Sequence, residues 1–579
     1  MQLVRCDARR RSLALSLLML VWLGCQAAGF DHDVIIRQGL VYDGRGGPPY
    51  TADVALDGDR VAAIGDLADR RGKNEIDAGG LAVAPGFINM LSWANESLLH
   101  DGRSMSDIHQ GVTLEVMGEG HSMGPMTPKM RESRLERQQD IRYEIPWNTL
   151  GGYLEHLEER GVSTNVASFV GATTVRIFVV GSEDRAATPA EVETMQALVR
   201  EAMAEGALGV ASSLPYAPAV FASTDELIAL ATAAAEFDGM YISHIRSEGD
   251  EIREALDEFL TIVRKTGIRG EVYHLKSSQK QNWDKLDEVI ATLEAARAEG
   301  LAVGADIYPY HASSTSLAIN FPAWVKEGDH ADFVARLQDP DVRRLMHDEM
   351  DLIPPEDIVL VSFRQQEMRH LTGKTLAEVA EMWSVTPEVA AMDLIVRDDS
   401  RVGTVRFTMS EENVRKKMVL PWVTFCSDGG SVAPEPPFTY SQPHPRSYGA
   451  FARVLGRYSR EEKLITLEEA VHRFTELPAT NLRLNHRGLL APGYFADVVV
   501  FDPESIIDRA TFEDPHQLAE GVLHVFVNGD QVLRDGQHTG ATPGRFVRGP
   551  GWPGWPGRPG SNGEPGSEGA RSDNREEEV

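Results

Sequence analysis

The chain has 579 residues, 42% of them apolar and 25% charged, the composition of a globular protein large enough for more than one domain. Its 57 basic and 87 acidic residues leave a formal net charge of -30, which argues against nucleic acid or an anionic membrane surface as a partner. Three cysteines, Cys6, Cys25 and Cys426, are too few for a disulfide framework.

Arg5, Arg9, Arg10 and Arg11 precede an apolar run from Leu13 to Leu23. That pattern reads as an export leader over residues 1–29, too short to span a bilayer comfortably. Leu23-Gly24-Cys25 offers Cys25 for lipidation, and cleavage near Ala27 or Ala28 is the alternative. The mature protein is therefore expected in the periplasm or lipid-anchored to the bacterial envelope, touching membrane only through Cys25.

From residue 30 to 83 short β-like runs alternate with Asp-Gly and Gly-Asp turns, the signal of hairpins. The same grammar returns over 488–548, in Asp497-Val498-Val499-Val500-Phe501 and in His524-Val525-Phe526-Val527-Asn528-Gly529. The two ends are expected to build one small composite β-sandwich.

Between them, over residues 84–487, strand and helix patterns alternate. Thr188-Pro189-Ala190-Glu191 is an N-cap, a first-turn proline and a glutamate three after the cap; Ser223-Thr224-Asp225-Glu226 opens the next helix. Strands are expected at 82–93, 111–118, 165–171, 208–213, 240–244, 270–274, 302–308 and 421–427. Eight strands with intervening helices predict an α/β fold of the (β/α)8 barrel type. The long interval between strands seven and eight, 312–415, reads as a lid insertion beside the mouth. Residues 549–579 are rich in Pro and Gly and then polar, and predict a disordered tail.

His244 and His274 each end a β-like run and stand one strand-helix unit apart. In a parallel barrel they would enter the same C-terminal mouth, where Asp428 of Cys426-Ser427-Asp428-Gly429 would join them. Two neutral nitrogen ligands and a carboxylate able to accept a proton from the attacking water are the parts of a hydrolytic zinc site. Cys426 itself reads as a small core residue.

The chain resembles the D-aminoacylase (N-acyl-D-amino-acid deacylase) family of the amidohydrolase superfamily, from about residue 32 to 548. The anchors are Ala84-Pro85-Gly86-Phe87-Ile88, Gln110-Gly111-Val112-Thr113, the two histidine strands, and Cys426-Ser427-Asp428-Gly429. They continue with His444-Pro445-Arg446-Ser447-Tyr448-Gly449 and Leu490-Ala491-Pro492-Gly493-Tyr494-Phe495-Ala496-Asp497. The resemblance implies a barrel with a split β-sandwich, zinc on His244 and His274, and Asp428 as the catalytic acid/base.

The chain also departs from the family. Strand one of the superfamily usually ends in His-x-His; here Leu91 and Trp93 fill those places, and neither binds such a cation. The bridging cysteine expected after strand two is absent from Met117-Gly118-Glu119-Gly120-His121-Ser122. Glu119, flanked by two glycines, is the expected replacement, because a carboxylate matches the charge of a thiolate; His121 is the competitor. One zinc per chain follows. By position in the family, Lys276, Tyr216, Tyr308 and Ser314 or Thr315 are candidates for contacting substrate, and Arg246 is a further candidate for binding an anion.

The leading expectation is a zinc-dependent hydrolase of C–N amide bonds that deacylates N-acyl-D-amino acids, small-molecule amides. A peptide or cyclic-amide hydrolase of the same superfamily and a non-catalytic amide-binding barrel are the alternatives. A binding protein would have no use for His244, His274 and Asp428 in this arrangement.

Overall fold

The computed structural model describes residues 29–555. The leader, Cys25 and the tail from 556 onward lie outside the described residues.

Residues from both ends of the described chain are hydrogen-bonded into a single nine-stranded sheet that encloses its own apolar cluster. Ala82–Pro85 is the seam: it pairs with His32–Val41 on one side and antiparallel with Val498–Phe501 on the other. Alternation sends Val34, Ile36, Val498 and Val500 into the cluster.

The chain then enters the barrel. Its parallel strands are Phe87–Asn89, Val112–Met117, Asn165–Ser168 continuing as Val170–Gly171, Gly209–Ser213, Met240–His244, Arg269–Val272, Val303–Ile307 and Val423–Phe425. The last strand meets the first through a parallel bridge between Ser92 and Gly429 and through the Asp428 N–H donated to the Leu91 carbonyl. These are the eight positions that the hydrophobic runs predict. Helix Pro189–Glu205 carries the expected capping box on Thr188, and Ser223 caps Thr224–Ala235.

The insertion is a folded unit with a core of its own, in which Leu317, Phe333, Leu360 and Leu394 are buried together. Its antiparallel sheet places Gly403–Arg406 between Ser313–Ser316 and Ile358–Ser362. The tail departs from expectation at its start. Gly549, Pro550 and Gly551 are buried, the Gly549 N–H donates to the Gly206 carbonyl, and the Arg548 guanidinium lies over the Trp552 ring. The composition signal missed this because one tryptophan, Trp552, among glycines and prolines supplies packing surface without periodicity.

Candidate active site

Glu119 follows strand two in a turn that only glycine neighbours allow. Gly118 has φ +109° and Gly120 φ +62°; a Cβ on the first would lie 2.3 Å from the Phe169 carbonyl oxygen, and on the second 2.6 Å from the Ser213 Cβ. The close approach carries the Glu119 carboxylate into the barrel mouth, where it is 4% exposed and accepts a hydrogen bond from the Ser213 hydroxyl at 3.1 Å. His244 ends strand five and His274 follows strand six. His274 has φ +35° and Asp428 φ +47°, so two non-glycine residues hold left-handed backbone at the mouth. The Asp306 carboxylate accepts the His274 backbone N–H at 2.8 Å and fixes that bend.

The three side chains converge. Nδ1 of His244 lies 2.9 Å and Nε2 of His274 3.4 Å from Oε1 of Glu119, and one donor atom from each residue fits within 4.8 Å of the others. Burial and Lys276 act to lower the His274 pKa, but Glu248, Asp428 and Glu119 outweigh them and carry it to about 9. Two nitrogens and a buried carboxylate at this spacing suit a three-ligand site for zinc. His121, the competing ligand, is outside the group; burial and then Arg401 and Arg134 hold its pKa down at about 3.

Glu248 was not visible as a site residue in the sequence. It reaches back from four residues beyond His244, with Oε1 3.1 Å from His274 Nδ1 and Oε2 3.5 Å from His244 Nε2. It therefore faces the outer nitrogen of both rings, the position from which a carboxylate orients metal-binding histidines. Lys276 balances it, with Nζ 2.6 Å from Oε1. Glu248→Gln should weaken zinc binding by roughly 10–100-fold without abolishing it, as competition with a chromophoric chelator would read.

Asp428 lies beside this group. The Trp93 indole N–H donates to its Oδ1 at 3.0 Å, and Arg446 Nη1 stands 2.7 Å from its Oδ2. Burial raises the Asp428 pKa, against the pull of Arg446 and His274. Trp93, expected from the sequence to fill a ligand's place, thus meets the aspartate: its indole fixes one oxygen of Asp428. Arg446 is the second residue missed; its motif was visible in the sequence, its role was not. It is 4% exposed, starts the helix Arg446–Arg453, and stacks 4.5 Å over the Tyr308 ring.

The expected substrate groups divide. Lys276 and Tyr308 face the site, and the Tyr308 hydroxyl is buried without a hydrogen-bond partner. Tyr216 sets its ring edge-on to His244 at 5.5 Å and shares a 2.9 Å hydrogen bond with Thr315. The Ser314 hydroxyl is spent on the Thr404 carbonyl, at 3.0 Å, so it is left with acceptor capacity alone. Arg246 must be removed from the anion-binding candidates. Strand five stops at His244, and the chain turns Arg246 outward, where Glu258 takes its Nε and Nη2 at 2.8 and 2.9 Å. The carbonyls of Val220 and Ala222 take further N–H groups. Cys426 is buried, and burial pushes its thiol up, as suits a core residue.

The model of the Amidohydrolase family matches residues 74–533. The chain belongs to the amidohydrolase family. It is 35% identical over 519 residues to the N-acyl-D-glutamate deacylase of Alcaligenes xylosoxydans xylosoxydans, covering 89% of this chain and 96% of that one. It is 33% identical over 536 residues to the D-aminoacylase of the same organism, covering 90% and 99%. Among solved structures, the N-acyl-D-glutamate deacylase of Bordetella bronchiseptica, complexed with zinc and a phosphonate mimic of the tetrahedral intermediate, superposes with a TM-score of 0.76 at 32% identity. That match covers 89% of this chain and 99% of that one. This amidohydrolase has the (β/α)8 barrel expected of it, and Leu91 and Trp93 stand where the superfamily usually ends strand one in histidines.

Proposed function

We propose that this amidohydrolase is a zinc-dependent deacylase of N-acyl-D-amino acids with one zinc per chain. The observation that carries the reading is the convergence of Glu119, His244 and His274 beside Asp428, at the C-terminal mouth of the barrel. A second metal has no strand-one donors, because Leu91 is apolar and the Trp93 indole nitrogen is a donor only.

Bound at Glu119, His244 and His274, zinc supplies a Lewis acid that polarises the scissile carbonyl and lowers the pKa of the attacking water. Asp428 accepts a proton from that water and delivers it to the departing nitrogen. Trp93 and Arg446 hold the carboxylate in line for both transfers. Lys276 and Arg446 are buried cations at the mouth and receive the α-carboxylate of the substrate, with the unpartnered Tyr308 hydroxyl as a further donor.

A panel of N-acetyl D- and L-amino acids tests the reaction, with release of the free amine as the readout. Turnover confined to L-enantiomers, or to peptides and cyclic amides, would overturn the reading. Glu119→Gln keeps shape and removes charge; zinc affinity should fall by the order of 10²-fold, and unchanged affinity would transfer the third ligand elsewhere.

A further inference from the structure

Asp428 holds left-handed backbone, at φ +47°, a conformation that an aspartate keeps only where its surroundings over-determine it. The restraint lies beneath the mouth. The Ser427 N–H donates to the Asn89 side-chain oxygen at 2.8 Å, and Asn89 Nδ2 donates to the Ser427 hydroxyl oxygen at 2.8 Å. That oxygen in turn accepts the Gly429 N–H at 3.2 Å. Through Ser427, Asn89 fixes the residues on both sides of Asp428. Further along the same loop, Ser106 holds Val432 twice. Its N–H donates to the Val432 carbonyl at 2.9 Å, and its hydroxyl oxygen accepts the Val432 N–H at 3.0 Å.

Both attachments rest on carboxyls. Asn89 Nδ2 also donates to Glu115 Oε2 at 3.1 Å, and the Ser106 hydroxyl donates to Asp107 Oδ2 at 3.0 Å. Glu115 and Asp107 are 0% and 1% exposed and have no ion-pair partner among the described residues. Their carboxyls hydrogen-bond to one another. Two carboxylates cannot do so, because neither has a hydrogen to give; one proton must lie between them. Glu115 Oε1 has no donor of its own and is free to carry it. Burial, and then the Asp107 charge, push the Glu115 carboxyl well above its usual range, which makes Glu115 the protonated partner.

We propose that Glu115 and Asp107, sharing one proton, are positioning residues for the acid/base Asp428. They orient Asn89 and Ser106, and these two set the backbone on which Asp428 stands. A second ionised carboxylate there, with no cation to meet it, would force the network apart. This rests on the deacylase reading above, which gives Asp428 its role.

Glu115→Gln, Glu115→Met and Ser427→Ala in the zinc-loaded full chain test the proposal, with N-acetyl-D-amino acids as substrates. Glutamine keeps a neutral donor and acceptor, so kcat should stay within about threefold of wild type. Methionine fills the space with neither, and kcat should fall roughly 10–100-fold while KM and zinc content hold, the cost of displacing a reacting group. Ser427→Ala removes only the hydroxyl that joins Asn89 to Gly429. Its kcat should fall in the same way, and it decides the matter if Glu115→Met fails to fold. Variants that melt lower but keep the wild-type kcat per zinc overturn the proposal, and so does a glutamine as damaging as methionine. Infrared spectroscopy reads the proton directly. At neutral pH wild type should show the carbonyl stretch of a protonated carboxyl that Glu115→Gln lacks, and identical spectra overturn the sharing. If wild type turns over no N-acyl-D-amino acid, the deacylase reading fails by itself, and hydrogen exchange decides the network. The amides of 427–432 should exchange faster in Glu115→Met and Ser427→Ala than in wild type and Glu115→Gln; equal exchange in all four overturns it.

Discussion

Replacing His244 or His274 with alanine should remove zinc and turnover together. Each ring contributes one of three donor atoms around a single point, and Glu119 with one remaining histidine is a two-ligand site. A catalytic zinc needs three protein ligands to leave one open position, so stoichiometry by atomic emission should drop from about one per chain to near zero. Activity should fall with the metal content, by more than any change in substrate affinity explains. The variants should still fold. His244 ends one barrel strand and His274 follows the next, and the backbone pairing of those strands does not involve the imidazole, although Glu119 loses a partner and remains buried. A variant that keeps one zinc but loses activity would assign the histidine to chemistry instead of metal binding. Wild-type protein that holds two metals, or none under any loading, would remove the one-zinc site altogether.

Asp428→Asn should produce the opposite dissociation. The amide keeps the size of the carboxylate and a hydrogen-bond acceptor for the Trp93 indole, so metal content should stay near one. It cannot accept a proton, and kcat should fall by roughly 10²–10⁴, the contribution of a positioned acid/base. Burial raises the wild-type Asp428 pKa above the usual carboxylate value, so the ionised form, which is the base, is lost as pH falls through that raised pKa. The wild-type rate should therefore decline on the acid side of its profile, and the asparagine variant should lack that limb. An Asn variant with undiminished kcat would move the proton transfer to another group, with Glu248 the carboxylate beside the histidine pair that is not itself a candidate ligand.

Much of this site could be read from residue spacing, because a parallel barrel converts spacing into position. One strand-helix unit between His244 and His274 places them on neighbouring strands, and the structure pairs Met240–His244 with Arg269–Val272 in parallel register. Glu119 was visible because two glycines at positive φ advertise a backbone that must come close. Glu248 was not, since it lies in a loop and acts through both histidines at once, a relation that no linear pattern encodes. Arg246 misled for the reverse reason. It lies two residues after His244, where continued alternation would turn it inward, but the strand has already ended. Its partner is Glu258, on the helix Ile252–Thr266. Trp93 read as a lost ligand because side-chain chemistry excludes it from metal binding; that its N–H would meet Asp428 depends on the closure of strand eight onto strand one.

The seam strand Ala82–Pro85 has a consequence for how the molecule is made. One of its edges is completed by His32–Val41, which leaves the ribosome early, and the other by Val498–Phe501, which leaves late. At ordinary rates of synthesis the interval is on the order of 20–80 s. Throughout it, an apolar strand end presents unpaired N–H and C=O groups beside a half-formed barrel, and any neighbouring nascent chain can add to it. Yield in the cell should therefore depend on what shields that edge during translation, independently of how stable the finished sheet becomes.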